Sequence, residues 1–297
     1  MAEETKTKDA VVWTNLSLID WGSKYLSDKG FDDPRLNVEL LLCNVLHCER
    51  IDLYLKFDNI LKASELSRFK ELLNRRTKHE PIQYIIGETE FFGLKIVVDR
   101  QVFIPRPETE VLVEQILSWS KKESHNVKRI LDIGTGSGNI AISLAKKLED
   151  IHIDSIDISP DALEVAFANI WNHHLEKKIS LICANILDLK NNLTNSSYDV
   201  IVSNPPYISK EEFQTLQPEI RNYEPVIACT DRDDGLTFYR VIAGRGKKLL
   251  RKDGVIFVEV AYNQSTKVTE ILEDNNYRGI ELYKDYNGID RVVKGHI

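Results

Sequence analysis

The sequence predicts an α/β fold: a mostly parallel sheet with helices on both faces, preceded by a small helical bundle. Three observations lead there. From Lys128 onward, apolar β-branched runs of strand length alternate with helical patterns. The run Gly134-Thr135-Gly136-Ser137-Gly138 stands between a strand and a helix, the context a ligand-binding glycine loop requires. From Val12 to about Leu73 the spacing is helical, with no convincing strand pair.

In chain order, residues 1 to about 10 are expected to fray. Leu36, Leu40, Leu41 and Val45 recur at helical spacing behind Pro34, a first-turn residue. Ser64 suits the cap of a next helix, with Leu66, Phe69, Leu72 and Leu73 on one face. Arg75, Arg76 and Lys78 suit the negative pole of that helix. Residues 1–80 therefore read as an N-terminal helical domain, and 81–110 as hairpin and linker. The hairpin lies within Phe91–Val98, and the loop Phe103-Ile104-Pro105-Arg106-Pro107 is held extended by its prolines. Glu108 and Glu110 open the following helix with acids at its favourable end.

Residues 111–297 form the second domain. Strands are expected at 130–133, 152–157, 179–183, 198–203 and 255–260, with helices at 140–148, from the Ser159-Pro160-Asp161 cap to about Trp171, and at about 235–250. Tyr277–Leu282 and Arg291–Lys294 around Asn287-Gly288 read as a closing antiparallel pair.

Composition narrows the function. A net charge of −7 argues against an extended basic surface for duplex DNA and leaves a protein substrate open. Cys43, Cys48, Cys183 and Cys229 form neither a C-x-x-C pair nor a zinc-type pattern, which suits thiols in a reducing cytoplasm. His173-His174 reads as a solvated helix end rather than a metal site. Met1–Ala10 lacks the apolar centre of a signal peptide, and no run approaches the roughly 18 apolar residues of a membrane span.

The candidate site gathers at strand ends. Glycines let the backbone come close to a ligand, and amides at a helix start favour an anionic group. A dinucleotide fingerprint would be G-x-G-x-x-G; here the spacing is G-x-G-x-G, followed by Asn139, which disfavours nicotinamide or flavin. Asp157, ending the second strand, lies at the separation from which an acid reaches a ribose diol. Asp132 adds a carboxylate for an ammonium group. A ribose, an amino-acid end and a positive centre occur together in S-adenosylmethionine. Asn185-Ile186 falls where an adenine would be flanked by a polar and an apolar side chain. Finally, Asn204-Pro205-Pro206-Tyr207 follows the apolar strand 198–203. Its prolines halt the strand, leaving a carboxamide, constrained carbonyls and a ring at the sheet's carboxyl edge, suited to a planar NH2 group. The same four residues alone would also serve as a strand-terminating turn.

Taken together, Asp132-x-Gly134-x-Gly136-x-Gly138, Asp157 and Asn204-Pro205-Pro206-Tyr207 resemble class I S-adenosylmethionine-dependent methyltransferases acting on planar nitrogen. With Phe103 to Glu110, Glu224-Pro225, Asp231 to Gly235 and Gly288-Ile289-Asp290-Arg291, the chain from about 30 to 295 resembles the bacterial peptide chain release factor N5-glutamine methyltransferases (the PrmC/HemK family). The resemblance implies a Rossmann-like seven-stranded sheet with an antiparallel last strand. It implies methyl transfer from S-adenosylmethionine to the glutamine of the Gly-Gly-Gln motif in class 1 release factors, with the helical domain helping to dock that protein. Asn204 and Pro205 would accept the amide N–H bonds, Asn204 also contributing to the cofactor site, with Tyr207 and Phe103 on either side of the amide and Pro206 beside it. Many relatives carry an acid where Asn185 stands. Asn-Pro-Pro-Tyr also occurs in adenine and cytosine DNA methyltransferases. An adenine-N6 DNA methyltransferase is thus the competing reading, set back by the acidic balance and the small appendage. Neither a stable nucleic-acid complex, a membrane nor a metal is expected.

Overall fold

The computed structural model describes residues 12–121, 127–189, 193 and 197–297; the expectation for residues 1–10 lies outside them. The chain forms two compact units, Met1–Ile86 and Gly87–Ile297. Among the described residues no helix is long and apolar enough to cross a membrane.

The first unit is helical: α1 (Asn15–Ser27), α2 (Pro34–Leu46), α3 (Arg50–Leu55), α4 (Ala63–Arg76) and α5 (Ile82–Ile86). Its core joins Leu18, Ile19 and Leu26 of α1 to Val38, Leu41 and Leu42 of α2 and Phe69, Leu72 and Leu73 of α4. The buried face of α2 differs from the expected one. Val38, Leu41 and Leu42 are fully buried, whereas Leu36 is 38% exposed and Leu40 and Val45 are half-buried. Consecutive leucines permit either face, and an ion cluster decides: Glu39 is drawn inside and held by Arg35 at 3.1 Å and Arg50 at 2.6 Å. An ionised side chain goes in only with such partners. Helix α4 also starts earlier than Ser64, because the Lys62 amide donates to Glu65 Oε2 at 2.7 Å and Lys62 becomes the cap. Arg75 pairs with Glu80 at 2.9 Å, and Arg76 donates to Asn37 Oδ1 at 2.7 Å, so both do more than offset the helix dipole.

The second unit opens with the hairpin β1 (Glu88–Phe91) and β2 (Leu94–Val97), whose two-residue turn puts Phe92 and Gly93 at positive φ. Then follow α6 (Glu108–Ser120), β3 (Arg129–Ile133), α7 (Asn139–Lys147), β4 (His152–Asp157), α8 (Pro160–Asn172), β5 (Ile179–Cys183), a 3-10 turn at Ile186–Asp188, and β6 (Tyr198–Ser203). Short helices α9 (Lys210–Phe213), α10 (Pro218–Tyr223) and α11 (Val226–Cys229) lead to α12 (Thr237–Leu249), β7 (Leu250–Glu259), α13 (Ser265–Asp274), β8 (Arg278–Lys284) and β9 (Asp290–His296). Ser159 caps α8 as its sequence suggests, accepting the Ala162 amide at 3.1 Å.

Seven strands form one sheet in the order β5-β4-β3-β6-β7-β9-β8. β3 to β7 run parallel, and β9 is antiparallel to both its neighbours, as expected of the last strand. Strand β6 is buried along its whole length, which explains its unbroken apolar character. The order reverses between β3 and β6, whose carboxyl ends mark the topological switch where ligands bind in open α/β sheets. Ile133 pairs with Ser203 across that line. The next residue on one strand is Gly134 and on the other Asn204, so the glycine loop and the Asn-Pro-Pro-Tyr motif leave the sheet side by side. The Ser203 hydroxyl donates to the Ile133 carbonyl at 2.7 Å and pins this alignment.

Candidate active site

A cavity of about 400 Å³ opens at that switch point. Of the residues expected from the sequence, Gly134, Thr135, Gly136, Ser137, Asp157, Asn185, Ile186, Phe103 and Asn204-Pro205-Pro206-Tyr207 line it. Asp132 and Gly138 do not.

The glycine loop differs from expectation in one respect. Gly134 and Thr135 both donate their amides to the Ile156 carbonyl, at 2.9 and 3.0 Å, and Gly138 donates to the Thr135 carbonyl at 2.8 Å. The Gly136 amide goes to Asp157 Oδ2 at 2.9 Å. These donors are spent within the protein, so they do not form a cradle for phosphate. What the glycines provide is room: a Cβ at Gly134 or Gly136 would meet nothing within 4 Å, and both sit at positive φ, 75° and 53°.

Asp157 is held rigidly, Oδ1 accepting the Ser159 amide and Oδ2 that of Gly136, each at 2.9 Å. A carboxylate has about four lone-pair sites. Two remain for hydroxyl donors at the cavity wall. Asp132, outside the lining, is wholly buried: Oδ2 accepts the Thr135 hydroxyl at 2.6 Å, and Oδ1 has no partner. Burial, with Asp157 nearby, pushes its carboxyl up to about 7. Through Thr135 it braces the glycine loop. Asn185 Oδ1 accepts the Leu187 amide at 2.9 Å, capping the 3-10 turn, which fixes the side chain and leaves that oxygen one further lone pair.

At the other end, Asn204 donates its side-chain amide to Thr109 Oγ1 at 3.1 Å. That fixes the rotamer and leaves Oδ1 as the group still able to accept. The Tyr207 ring lines the cavity, and its hydroxyl donates to Glu259 Oε1 at 3.4 Å. Burial raises the Tyr207 phenol, the Glu259 charge adding to this, so it stays protonated. Phe103 lies under the Arg106 guanidinium at 4.6 Å. Arg106 pairs with Glu224, which also accepts the Ile104 amide at 3.3 Å, so the proline-framed loop is tied to the end of α10. The two segments noted separately in the sequence thus meet as one wall.

Several contributors are invisible to motif reading. Thr109, in the first turn of α6, looks like an ordinary helix-start residue. Asn169 lies within α8 yet is fully buried; it exchanges hydrogen bonds with Val97 at 2.7 and 2.9 Å and donates to the Ser137 carbonyl at 2.9 Å, joining hairpin to loop. Pro225 and the run from Ile227 to Arg232 line the cavity as well, a stretch in which only Pro225 and Asp231 onward were marked by the sequence. His173 is more engaged than a solvated end, its Nε2 donating to the Lys95 carbonyl at 2.8 Å.

The cavity wall carries two carboxylates, Asp157 and Asp231, against one cation, Arg232. This suits a ligand bearing hydroxyls and a positive centre, the features for which S-adenosylmethionine was named. Comparison with known proteins agrees. The family model of the PrmC N-terminal domain matches residues 17–87, and that of the methyltransferase small domain matches residues 107–220. A release factor glutamine methyltransferase from Geobacter sulfurreducens is 38% identical over 98% of this chain and 99% of its own length. One from Thermodesulfovibrio yellowstonii is 41% identical over 85% of this chain and 89% of its own. A crystal structure of a methyltransferase from Pyrococcus furiosus, 15% identical, superimposes with a TM-score of 0.51 over 69% of this chain and 90% of that one, and shares the fold. Similarity of this order spans the helical unit, the glycine loop and the closing strands alike, and by it the chain belongs to the release factor glutamine methyltransferase family.

Proposed function

We propose that this protein transfers a methyl group from S-adenosylmethionine to the side-chain amide nitrogen of the glutamine in the Gly-Gly-Gln motif of class 1 peptide chain release factors, in the cytoplasm. One observation carries the reading: the Asn204 carboxamide, its NH2 engaged by Thr109, stands at the strand end beside the open glycine loop. When bound, S-adenosylmethionine supplies a methyl group already activated on a sulfonium.

The protein's task is then binding and aim. Asp157 would hold the ribose hydroxyls, Ile158 and Ile186 would flank the adenine, and Gly134 and Gly136 leave the space beside them open. Asn204 Oδ1 and the Pro205 carbonyl would each accept one N–H of the glutamine amide, turning the nitrogen's lone pair toward the methyl carbon. As the N–C bond forms and the methyl–sulfur bond breaks, its electron pair staying on sulfur as a neutral thioether, positive charge grows on nitrogen and both hydrogen bonds would strengthen, which favours the transition state over the bound substrate. Tyr207 and Phe103 would cover the amide's two faces and exclude water. The methylated nitrogen is acidic, so its proton leaves to solvent without a dedicated base, and the neutral Tyr207 hydroxyl takes no part.

Mass spectrometry of an unmethylated release factor, incubated with donor and enzyme, is expected to show a 14 Da gain (one CH2, by the added-methyl stoichiometry, about one per chain) on the Gly-Gly-Gln glutamine. DNA in a parallel tube is expected to stay unlabelled. Label on DNA and none on the release factor would reverse the assignment.

The helical unit is proposed to help dock the release factor. Leu55 and Phe57, at the end of α3 and just beyond, are 71% and 53% exposed, with Ile51 and Ile60 also exposed close by in the sequence, and exposed apolar side chains in a group suit a protein contact. Leu55→Asp combined with Phe57→Asp is expected to raise KM for the release factor several-fold and leave donor affinity alone. An unchanged KM removes this role.

A further inference from the structure

We propose that Glu259 and Gln264 are positioning residues for the methyl-accepting end of the cavity: Gln264 fixes the backbone of Tyr207, while Glu259 anchors the hydroxyls of Tyr207 and Thr109, and together they hold the Asn204 amide in one rotamer. This rests on the reading of Asn204 as the group that grips the substrate amide.

Neither residue lines the cavity; both stand behind it, Glu259 at the end of β7 and Gln264 at the cap of α13. Gln264 is 6% exposed, and its Nε2 donates to the Tyr207 carbonyl at 2.8 Å and more weakly to that of Gly235 at 3.5 Å. Carbonyls can only accept, so the amide nitrogen must be the end facing Tyr207. Its Oε1 accepts the Ala261 amide at 3.4 Å, which closes the turn leading from β7 into α13. Gly235 packs directly on this link. A Cβ there would stand 2.4 Å from the Tyr207 carbonyl oxygen and 2.9 Å from Gln264 Nε2, and the φ of +80° is itself a glycine conformation. Two distant stretches of chain, at Gly235 and at 261–264, therefore converge on the main chain of Tyr207.

Glu259 completes the support from the side. It is 2% exposed, Oε1 accepts the Tyr207 hydroxyl, and the Thr109 hydroxyl lies beside the same carboxyl. Thr109 is also the acceptor for Asn204, so a single hydroxyl connects the buried acid to the carboxamide. Glu259 Oε2 has no partner. A buried carboxyl with an unused oxygen is costly, and an apolar side chain of similar size would serve a purely structural core better. A role for the acid in setting the direction of the Tyr207 hydroxyl, and through the neighbouring Thr109 that of Asn204, accounts for its retention.

The test uses the full chain, with Glu259→Gln, Gln264→Ala and Gln264→Glu, the last retaining size but losing the donor to Tyr207. The side-chain NH2 resonances of Asn204, assigned by their loss in Asn204→Asp, are expected to shift or broaden in all three variants while the remaining amide spectrum is kept. With release factor as substrate, kcat is expected to fall at least tenfold while KM for the donor stays within about twofold. The positioning role is overturned by Asn204 resonances that do not move in Glu259→Gln and Gln264→Ala, or by wild-type kcat in both. A wild-type enzyme that transfers nothing to the release factor would defeat the functional reading instead, and the Asn204 resonances would still decide the positioning.

Discussion

Asn204→Ala is expected to lower kcat for glutamine methylation by about 10²–10³-fold, the loss typical when one group stabilising a developing charge is removed. Donor affinity should hardly change, because in the proposed arrangement Asn204 serves the amide, and it stands at the end of β6 while Asp157 ends β4, with β3 between them. The split between the two readouts is the informative part. Asn204 engages Thr109 through nitrogen, so alanine removes both the acceptor for the substrate N–H and the bond that keeps the acceptor in place. Asn204→Asp separates these roles. A carboxylate still accepts, but it cannot donate to Thr109, and its charge would bind the substrate amide in the ground state as well as in the transition state. Its kcat is therefore expected to lie between those of wild type and Asn204→Ala. Single-turnover transfer from labelled donor, with calorimetry of donor binding, measures both quantities. Turnover close to wild type in Asn204→Ala would remove the proposed mechanism.

The positions of the main strands could be read because each is an uninterrupted apolar run ended by a residue that cannot continue it. Pro205 stops β6, and Gly134 stops β3. Where those marks were missing, pattern reading failed for physical reasons. In α2, consecutive leucines suit two faces, and only the burial of Glu39 among Arg35 and Arg50 selects one. At Asp132, a strand buried on both faces carries no alternation to say which way a side chain points, and the acid lies outside the cavity lining, bonded to Thr135. The α9–α11 stretch is too short in each helix to show a period, although Pro225 and Ile227 to Arg232 form part of the wall. The site divides in the same way. Residues adjacent in sequence to a strand end, such as Asn204 and Asp157, announce themselves. Thr109 and Asn169 act across separations of 95 and 72 residues, and nothing local marks a Thr in a helix's first turn or an Asn in its middle as a partner for a distant chain.

Asp157→Ala is expected to weaken donor binding roughly 100-fold, about 3 kcal/mol, while kcat at saturating donor falls only a few-fold. Two effects add. The hydroxyl donors lose charge-assisted acceptors, each worth about 1.5–3 kcal/mol in a partly buried setting. The Gly136 and Ser159 amides also lose the oxygen atoms that now satisfy them, so the glycine loop is no longer held to the end of β4. Asp157→Asn distinguishes the contributions. An amide offers one acceptor oxygen where the carboxylate offers two, so it can satisfy either Gly136 or Ser159 but not both, and it brings no charge to the hydroxyls. If recognition of the hydroxyls dominates, asparagine should bind the donor almost as poorly as alanine. If the loop's shape dominates, asparagine should recover most of the affinity. Calorimetric titration of the three proteins measures this directly, and donor affinity equal to wild type in Asp157→Ala would contradict both contributions. The kinetic consequence follows from the proposed role: if Asp157 holds the ribose, a part of the donor that does not react, its binding contribution is the same before and during transfer and appears in affinity rather than in kcat.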